Sequence, residues 1–123
     1  MATCIPFLGV SNLSASLEWY MSIGFNCSGT NLAWEPDAEL SWAQLEWEGA
    51  AFMLFPSEKQ MLPGAIRDAG LYFKVKSIAG LVERLKFRAR IIELTEETFY
   101  GKQEVVFEDL NGFRITMAAE GNV

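Results

Sequence analysis

The feature that most constrains this chain is an internal repeat. Ile5-Pro6-Phe7-Leu8-Gly9-Val10 is followed by Ser11-Asn12-Leu13 and a helical stretch. At an offset of 65 residues, Gly70-Leu71-Tyr72-Phe73-Lys74-Val75 is followed by Lys76-Ser77-Ile78 and another. Each segment reads as a strand, an N-cap (Asn12, Ser77) and an amphipathic helix, because a short polar side chain there can accept from the first free helical N–H groups. Leu13, Leu17 and Tyr20 fall on one face of the first helix, and Ile78, Leu81, Val82 and Leu85 on one face of the second. The halves also close alike. Glu46-Trp47-Glu48-Gly49 leads through a tight turn into Ala50 to Leu54, and Asn111-Gly112 is a strong hairpin signal between Asp109 and Met117. Phe25 to Thr30 and Arg90 to Thr95 supply one more strand to each half.

The order is therefore βαβββ, twice. We expect a single α+β domain over 1–123, with modules 1–56 and 69–120. The linker 57–68 carries Pro63 and Gly64, residues suited to a loop. Half of the residues are hydrophobic and 13% aromatic, enough for a packed interior. The apolar runs Gly49 to Phe55 and Leu71 to Val75 are strand-length, well short of the roughly 18–20 residues that cross a bilayer. Met1 to Pro6 shows no basic segment leading into an apolar one, so the expected location is the cytoplasm. Cys4 and Cys27 lack metal-type spacing and are expected as buried thiols.

Two compositional facts narrow function. A net charge of −6 disfavours nucleic acid, whose binding requires Lys and Arg against phosphate, and weakly favours a cationic ligand. Histidine is absent, which removes the commonest transition-metal ligand and general base together with every Ser-His or Cys-His nucleophile.

Phe7-Leu8-Gly9-Val10-Ser11-Asn12-Leu13-Ser14-Ala15-Ser16-Leu17-Glu18-Trp19-Tyr20, followed by Ile23-Gly24-Phe25, resembles the opening of glyoxalase and bleomycin-resistance domains. Phe99-Tyr100-Gly101-Lys102-Gln103-Glu104, with Phe107-Glu108-Asp109-Leu110-Asn111-Gly112, is similar to their closing motif, that of the bleomycin-resistance branch above all. The resemblance, to the vicinal oxygen chelate superfamily, implies a curved, cup-like mixed sheet with helices on its convex side. It also implies four metal-ligand positions, which by offset from the strand motifs fall on Ile5, Met53, Gly70 and Thr116. None is His, Glu or Gln. Isoleucine and glycine have no donor, a thioether suits soft metals, and one hydroxyl cannot hold a divalent ion alone. No metal or other cofactor is expected.

Strand alternation then assigns faces. Pro6, Leu8, Val10, Phe52, Leu54, Leu71, Phe73, Val75, Phe113, Ile115 and Met117 are expected under the helices. Ile5, Phe7, Ala51, Met53, Phe55, Tyr72, Lys74, Arg114 and Thr116 are expected in the cup. Candidate ligand-binding residues are Phe7, Trp34, Trp42, Met53, Phe55, Tyr72, Lys74, Tyr100, Glu104 and Arg114. Trp34 and Trp42, near Glu35, Asp37 and Glu39, offer aromatic faces to a planar cation, or else act as surface filler or dimer contacts. Lys74 and Arg114 pull towards an anion unless Glu104 or Glu46 neutralises them. Tyr100 is expected as a hydrogen-bond donor at the mouth of the cup, where a base for any chemistry would have to be Glu104 or another buried carboxylate. Trp19 and Trp47 read as packing residues.

Three functions remain open. One is metal-free sequestration of a hydrophobic or aromatic small molecule, like that of bleomycin-resistance proteins. Another is a glyoxalase-like lyase or isomerase with an unusual metal or acid–base site. The third is a structural or regulatory module whose cup is filled. No carboxylate pair has a spacing that demands catalysis, so no catalytic residue is assigned. A homodimer is expected, with no nucleic-acid or membrane partner, because half-barrel modules leave edges and an apolar hollow to cover.

Overall fold

A computed structural model of the chain describes residues 2–57, 69–95 and 102–120. The chain divides into two compact units, Met1–Met61 and Leu62–Val123. The first contains β1 (Phe7–Val10), α1 (Leu13–Ile23), β2 (Asn26–Thr30), a 3-10 turn (Asn31–Ala33), β3 (Ala43–Trp47) and β4 (Ala50–Pro56). The second contains β5 (Gly70–Val75), α2 (Leu81–Leu85), β6 (Arg90–Thr95), β7 (Lys102–Glu108) and β8 (Arg114–Glu120). Both are βαβββ, and the class is α+β. Among the described residues no helix is long and apolar enough to cross a membrane.

Each unit forms a four-stranded mixed sheet, ordered β1-β4-β3-β2 in one and β5-β8-β7-β6 in the other. In both, the first and last strands run parallel while the remaining pairs are antiparallel. The repeat extends to an irregularity. The register slips between Cys27 and Gly29 in β2, and between Ile91 and Glu93 at the corresponding place in β6. A one-residue bulge in the same strand of each unit is a backbone signature of duplication.

Alternation places the core as expected. Leu8, Val10, Phe52, Leu54, Phe73, Val75, Phe113, Ile115 and Met117 are buried, while Pro6 and Leu71, at the start of their strands, are only half-buried. In the first unit α1 packs on β2, β3 and β4. Tyr20 meets Phe25 and Phe52 edge-on at ring-centroid distances of 5.3 and 5.1 Å, the geometry that ring quadrupoles favour. Trp19 is buried beside Tyr20, and Trp47 is half-buried against Phe25 at 5.0 Å, so both are packing residues.

Two expectations are corrected, and the hairpin turns are given their form. Asn12 caps α1 as expected, its Oδ1 accepting from Ala15 N at 3.0 Å, but Ser77 does not cap α2. Ser77 Oγ accepts from Ala79 N, and the helix starts only at Leu81 because Gly80, at φ 77°, stands in a left-handed conformation no helix can include. Asn111-Gly112 lies in the β7–β8 hairpin, as expected. Asp109 N donates to Phe113 O and Asp109 Oδ1 accepts from Asn111 N and Phe113 N, closing a three-residue loop in which Gly112 alone has positive φ. The tight turn lies in the other hairpin, where Glu48 (φ 50°) and Gly49 (φ 87°) are both left-handed. Lastly, Cys4 and Cys27 are free but exposed, since one lies ahead of β1 and the other on the edge strand β2.

Candidate functional site

Each sheet has one face turned away from its core, and the two are described separately. On the first unit's open face, Phe7 pairs with Met53, Met53 with Gln44, and Gln44 with Gly29, giving one row across the four strands. Gly9 pairs with Phe55 in the next row, and Trp42 lies just ahead of β3. Two of these aromatic side chains lean onto glycines. A Cβ at Gly9 would stand 3.2 Å from Phe55 Cζ and 3.0 Å from Ser57 Cβ, so the phenyl ring reaches over β1. A Cβ at Gly29 would stand 3.4 Å from the far edge of the Trp42 indole, which therefore reaches over β2. The rings lean towards opposite edges of the sheet, with Met53 and Gln44 on the strands between. Phe7, 61% exposed, tilts against Phe55 at 6.2 Å. Large apolar groups left open on a sheet face are the kind of exposure that marks binding surfaces.

The Trp42 strand is reached through a built loop. Asn31 is buried, its Nδ2 donating to Glu39 O and its Oδ1 accepting from Ser41 N, both at 2.8 Å. Thr30 Oγ1 accepts from Leu32 N, and Glu35 N donates to Asn31 O. Trp34 stands on this loop 80% exposed, among exposed Glu35, Asp37 and Glu39. Its indole is unsupported, unlike that of Trp42. Asn31 escaped sequence reasoning, since an asparagine in a polar stretch reads as ordinary turn chemistry.

The second unit's open face is built from other materials. Tyr72 pairs with Thr116 and Thr116 with Val106. Gly70, Arg114 and Glu108 form the row on one side, and Lys74, Ala118 and Glu104 the row on the other. Tyr72 Oη donates to Glu104 Oε1 at 3.0 Å. Among the described residues neither Lys74 nor Arg114 makes an ion pair, so the neutralisation by Glu104 or Glu46 that would cancel their charge is not formed. Five candidates thus share the first unit (Phe7, Trp34, Trp42, Met53, Phe55) and four the second (Tyr72, Lys74, Glu104, Arg114). Tyr100 lies outside the described residues.

The four positions implied for a metal fail a test of fit. Ile5 and Gly70 bring no donor atom, and Met53 and Thr116 bring one thioether and one hydroxyl. Gly70 is also sterically closed, because a Cβ there would stand 2.7 Å from Arg114 O, a backbone atom. A side-chain ligand at this position would have to displace β8. Among the described residues no three His, Cys, Asp or Glu side chains gather as a metal site.

Charge is also distributed unevenly along the chain. Residues 1–57 contain neither lysine nor arginine, but they hold Glu18, Glu35, Asp37, Glu39, Glu46 and Glu48. The rest of the chain carries as many carboxylates as cations, so the net charge of −6 belongs to the first unit.

The fold is one that this chain shares with bleomycin-binding and fosfomycin resistance proteins of known structure. A bleomycin-binding protein complexed with bleomycin is 12% identical, with a TM-score of 0.69 over 98% of this chain and 99% of that one. TioX from Micromonospora sp. ML1 is 15% identical, with a TM-score of 0.75 over 99% and 98%. A mutant of the fosfomycin resistance protein FosX from Listeria monocytogenes, complexed with Mn(II) and 1S,2S-dihydroxypropylphosphonic acid, is 12% identical, with a TM-score of 0.73 over 99% and 93%. In sequence, the chain matches no protein-family model and no curated protein.

Proposed function

We propose that this protein binds a planar aromatic small molecule without a metal, on the open face of its first sheet, and holds it without reaction. The observation that carries this reading is the pair of aromatic side chains leaning on glycines. Phe55 over Gly9 and Trp42 over Gly29 leave Met53 and Gln44 accessible between rings that can cover a flat ligand. The missing donor atoms and the closed Gly70 position support a metal-free mode. The bleomycin complex of a protein with the same fold supports a sequestering role. Glu46 lies on this face, in the row next to Met53, and residues 1–57 contain no lysine or arginine to repel a ligand carrying positive charge.

Titration with a planar aromatic cation such as an acridinium, followed by tryptophan fluorescence, tests the proposal. Saturable quenching is expected, unchanged by a metal chelator and weakened about tenfold or more by Trp42→Ala and Phe55→Ala. Quenching of equal size with both variants, or binding that requires an added divalent metal, would refute it.

A further inference from the structure

The hydrogen-bonding side chains at the middle of the first open face come from one strand. β3 is an inner strand, paired with both β2 and β4, so its backbone groups are used and only its side chains can meet a ligand. Ala43 and Leu45 are fully buried, and the opposite parity presents Gln44 and Glu46, both half-buried. Two residues apart on a strand, they stand about 7 Å from each other on the same face. Their cross-strand neighbours carry no charge: Gln44 lies between Met53 and Gly29, and Glu46 between Ala51 and Asn26. Among the described residues neither side chain takes part in an ion pair or a hydrogen bond. Nor does either hold a buried polar atom without a partner, so their oxygens reach water.

The flanking rings suit a flat molecule but do not surround a charge. Phe55 leans over Gly9 on β1 and Trp42 over Gly29 on β2, towards opposite edges of the sheet. A quaternary ammonium is held by ring faces gathered around it as a cage, and rings that lean apart form none. A cation between them lies over β3 and β4 instead. There β4 offers only Ala51, Met53 and Phe55, so the oxygens within reach are those of Gln44 and Glu46. Resting on the ligand face proposed above, we infer that the ligand carries its charge on N–H groups, as an amidinium or aminopyridinium edge does, and that Glu46 and Gln44 select it by accepting from them. The carboxylate can only accept, and the amide presents its oxygen as a second acceptor beside it. An N–H bond to a carboxylate is roughly twice as strong as one between neutral groups. An alkylated cation of the same shape leaves both oxygens facing carbon, out of water and unpaired, which is how a hydrogen-bonding site rejects an analogue.

Two probes of nearly the same shape test this on the full chain at neutral pH, by isothermal titration calorimetry with circular dichroism to confirm folding. Aminoacridinium carries its charge on N–H groups, and N-methylacridinium has no N–H at all. The first is expected to bind about tenfold or more tightly than the second. Gln44→Leu should weaken the first about threefold or more and leave the second unchanged. Glu46→Gln should weaken both, the first more, so the preference shrinks in either variant. Glu18→Gln makes the same change in net charge from the exposed side of α1, behind the sheet, and should keep the preference intact. Equal affinities for the two cations, or a preference that survives both substitutions on β3, would overturn the inference and leave the ligand face standing. Saturable binding of neither cation would remove the ligand face itself, and the inference with it.

Discussion

The two units share strand order, register and the position of a bulge, yet their open faces share almost nothing. One carries Phe7, Met53 and Phe55, with Trp42 at its end, and is built from residues 1–57, which contain no lysine or arginine. The other carries Tyr72, Lys74, Arg114, Glu104 and Glu108. The buried parities, by contrast, correspond row by row: Leu8 and Val10 with Phe73 and Val75, Phe52 and Leu54 with Ile115 and Met117. Burial constrains one face of a duplicated sheet to stay apolar, while the face in water is free to take any chemistry that keeps the strands paired. The two units thus keep one frame, and side-chain chemistry differs on one side of it.

The sharpest way to break this contrast is to truncate one residue from each side of a single sheet. Phe52→Ala removes a fully buried ring in contact with Tyr20 and Phe25, and should cost about 3–5 kcal/mol in urea denaturation. Phe7→Ala, on the opposite parity of the adjacent strand, should stay within about 0.5 kcal/mol. Similar losses at both sites would mean that the open face is packed rather than available. Gly70→Ala comes next. Its methyl group would meet Arg114 O at 2.7 Å, so β5 and β8 must separate locally, at about 1–3 kcal/mol. An unchanged midpoint would show that the position can admit a side chain after all, reopening it to a metal ligand.

The helix starts give a smaller and cleaner test of where the repeat ends. Asn12→Ala should cost about 1 kcal/mol, since it uncaps eleven residues of helix. Ser77→Ala should cost only a few tenths, because its hydroxyl holds a turn rather than α2. Equal costs would restore the symmetry that the sequence suggests and Gly80 breaks.

Gly80 also illustrates why some of the molecule was legible in the sequence and some was not. Period-2 alternation reports burial directly, so the core parity of β1, β4, β5 and β8 could be read without coordinates. Helix length could not, because Ser77 and Ile78 carry the right pattern and one glycine two residues on decides whether the backbone continues. Asn111-Gly112 marked the hairpin but not the length of its loop. The dipeptide favours a two-residue turn, but Asp109 offers its carboxylate to two backbone N–H groups and selects the longer loop. The candidate site was readable as a list of side chains on one parity. Which way the rings lean was not, since that is set by the absence of Cβ at Gly9 and Gly29 across the sheet, a neighbour relation invisible along the chain.

The smallest predicted effect concerns the polar face. Tyr72 is 54% exposed, and its hydroxyl donates to an incompletely buried carboxylate, so water replaces either partner readily. Tyr72→Phe should therefore change stability by less than about 0.5 kcal/mol. If the face is inert, that is its only consequence. If instead it takes part in holding a ligand, the released Glu104 carboxylate is left beside Lys74, one row-neighbour away across Ala118, and the affinity for a charged ligand should change while stability does not. Measuring acridinium affinity and the urea midpoint on the same variant separates these cases. A shift in affinity alone would make the second face a contributor to recognition, and the contrast between the units one of role rather than of use and disuse.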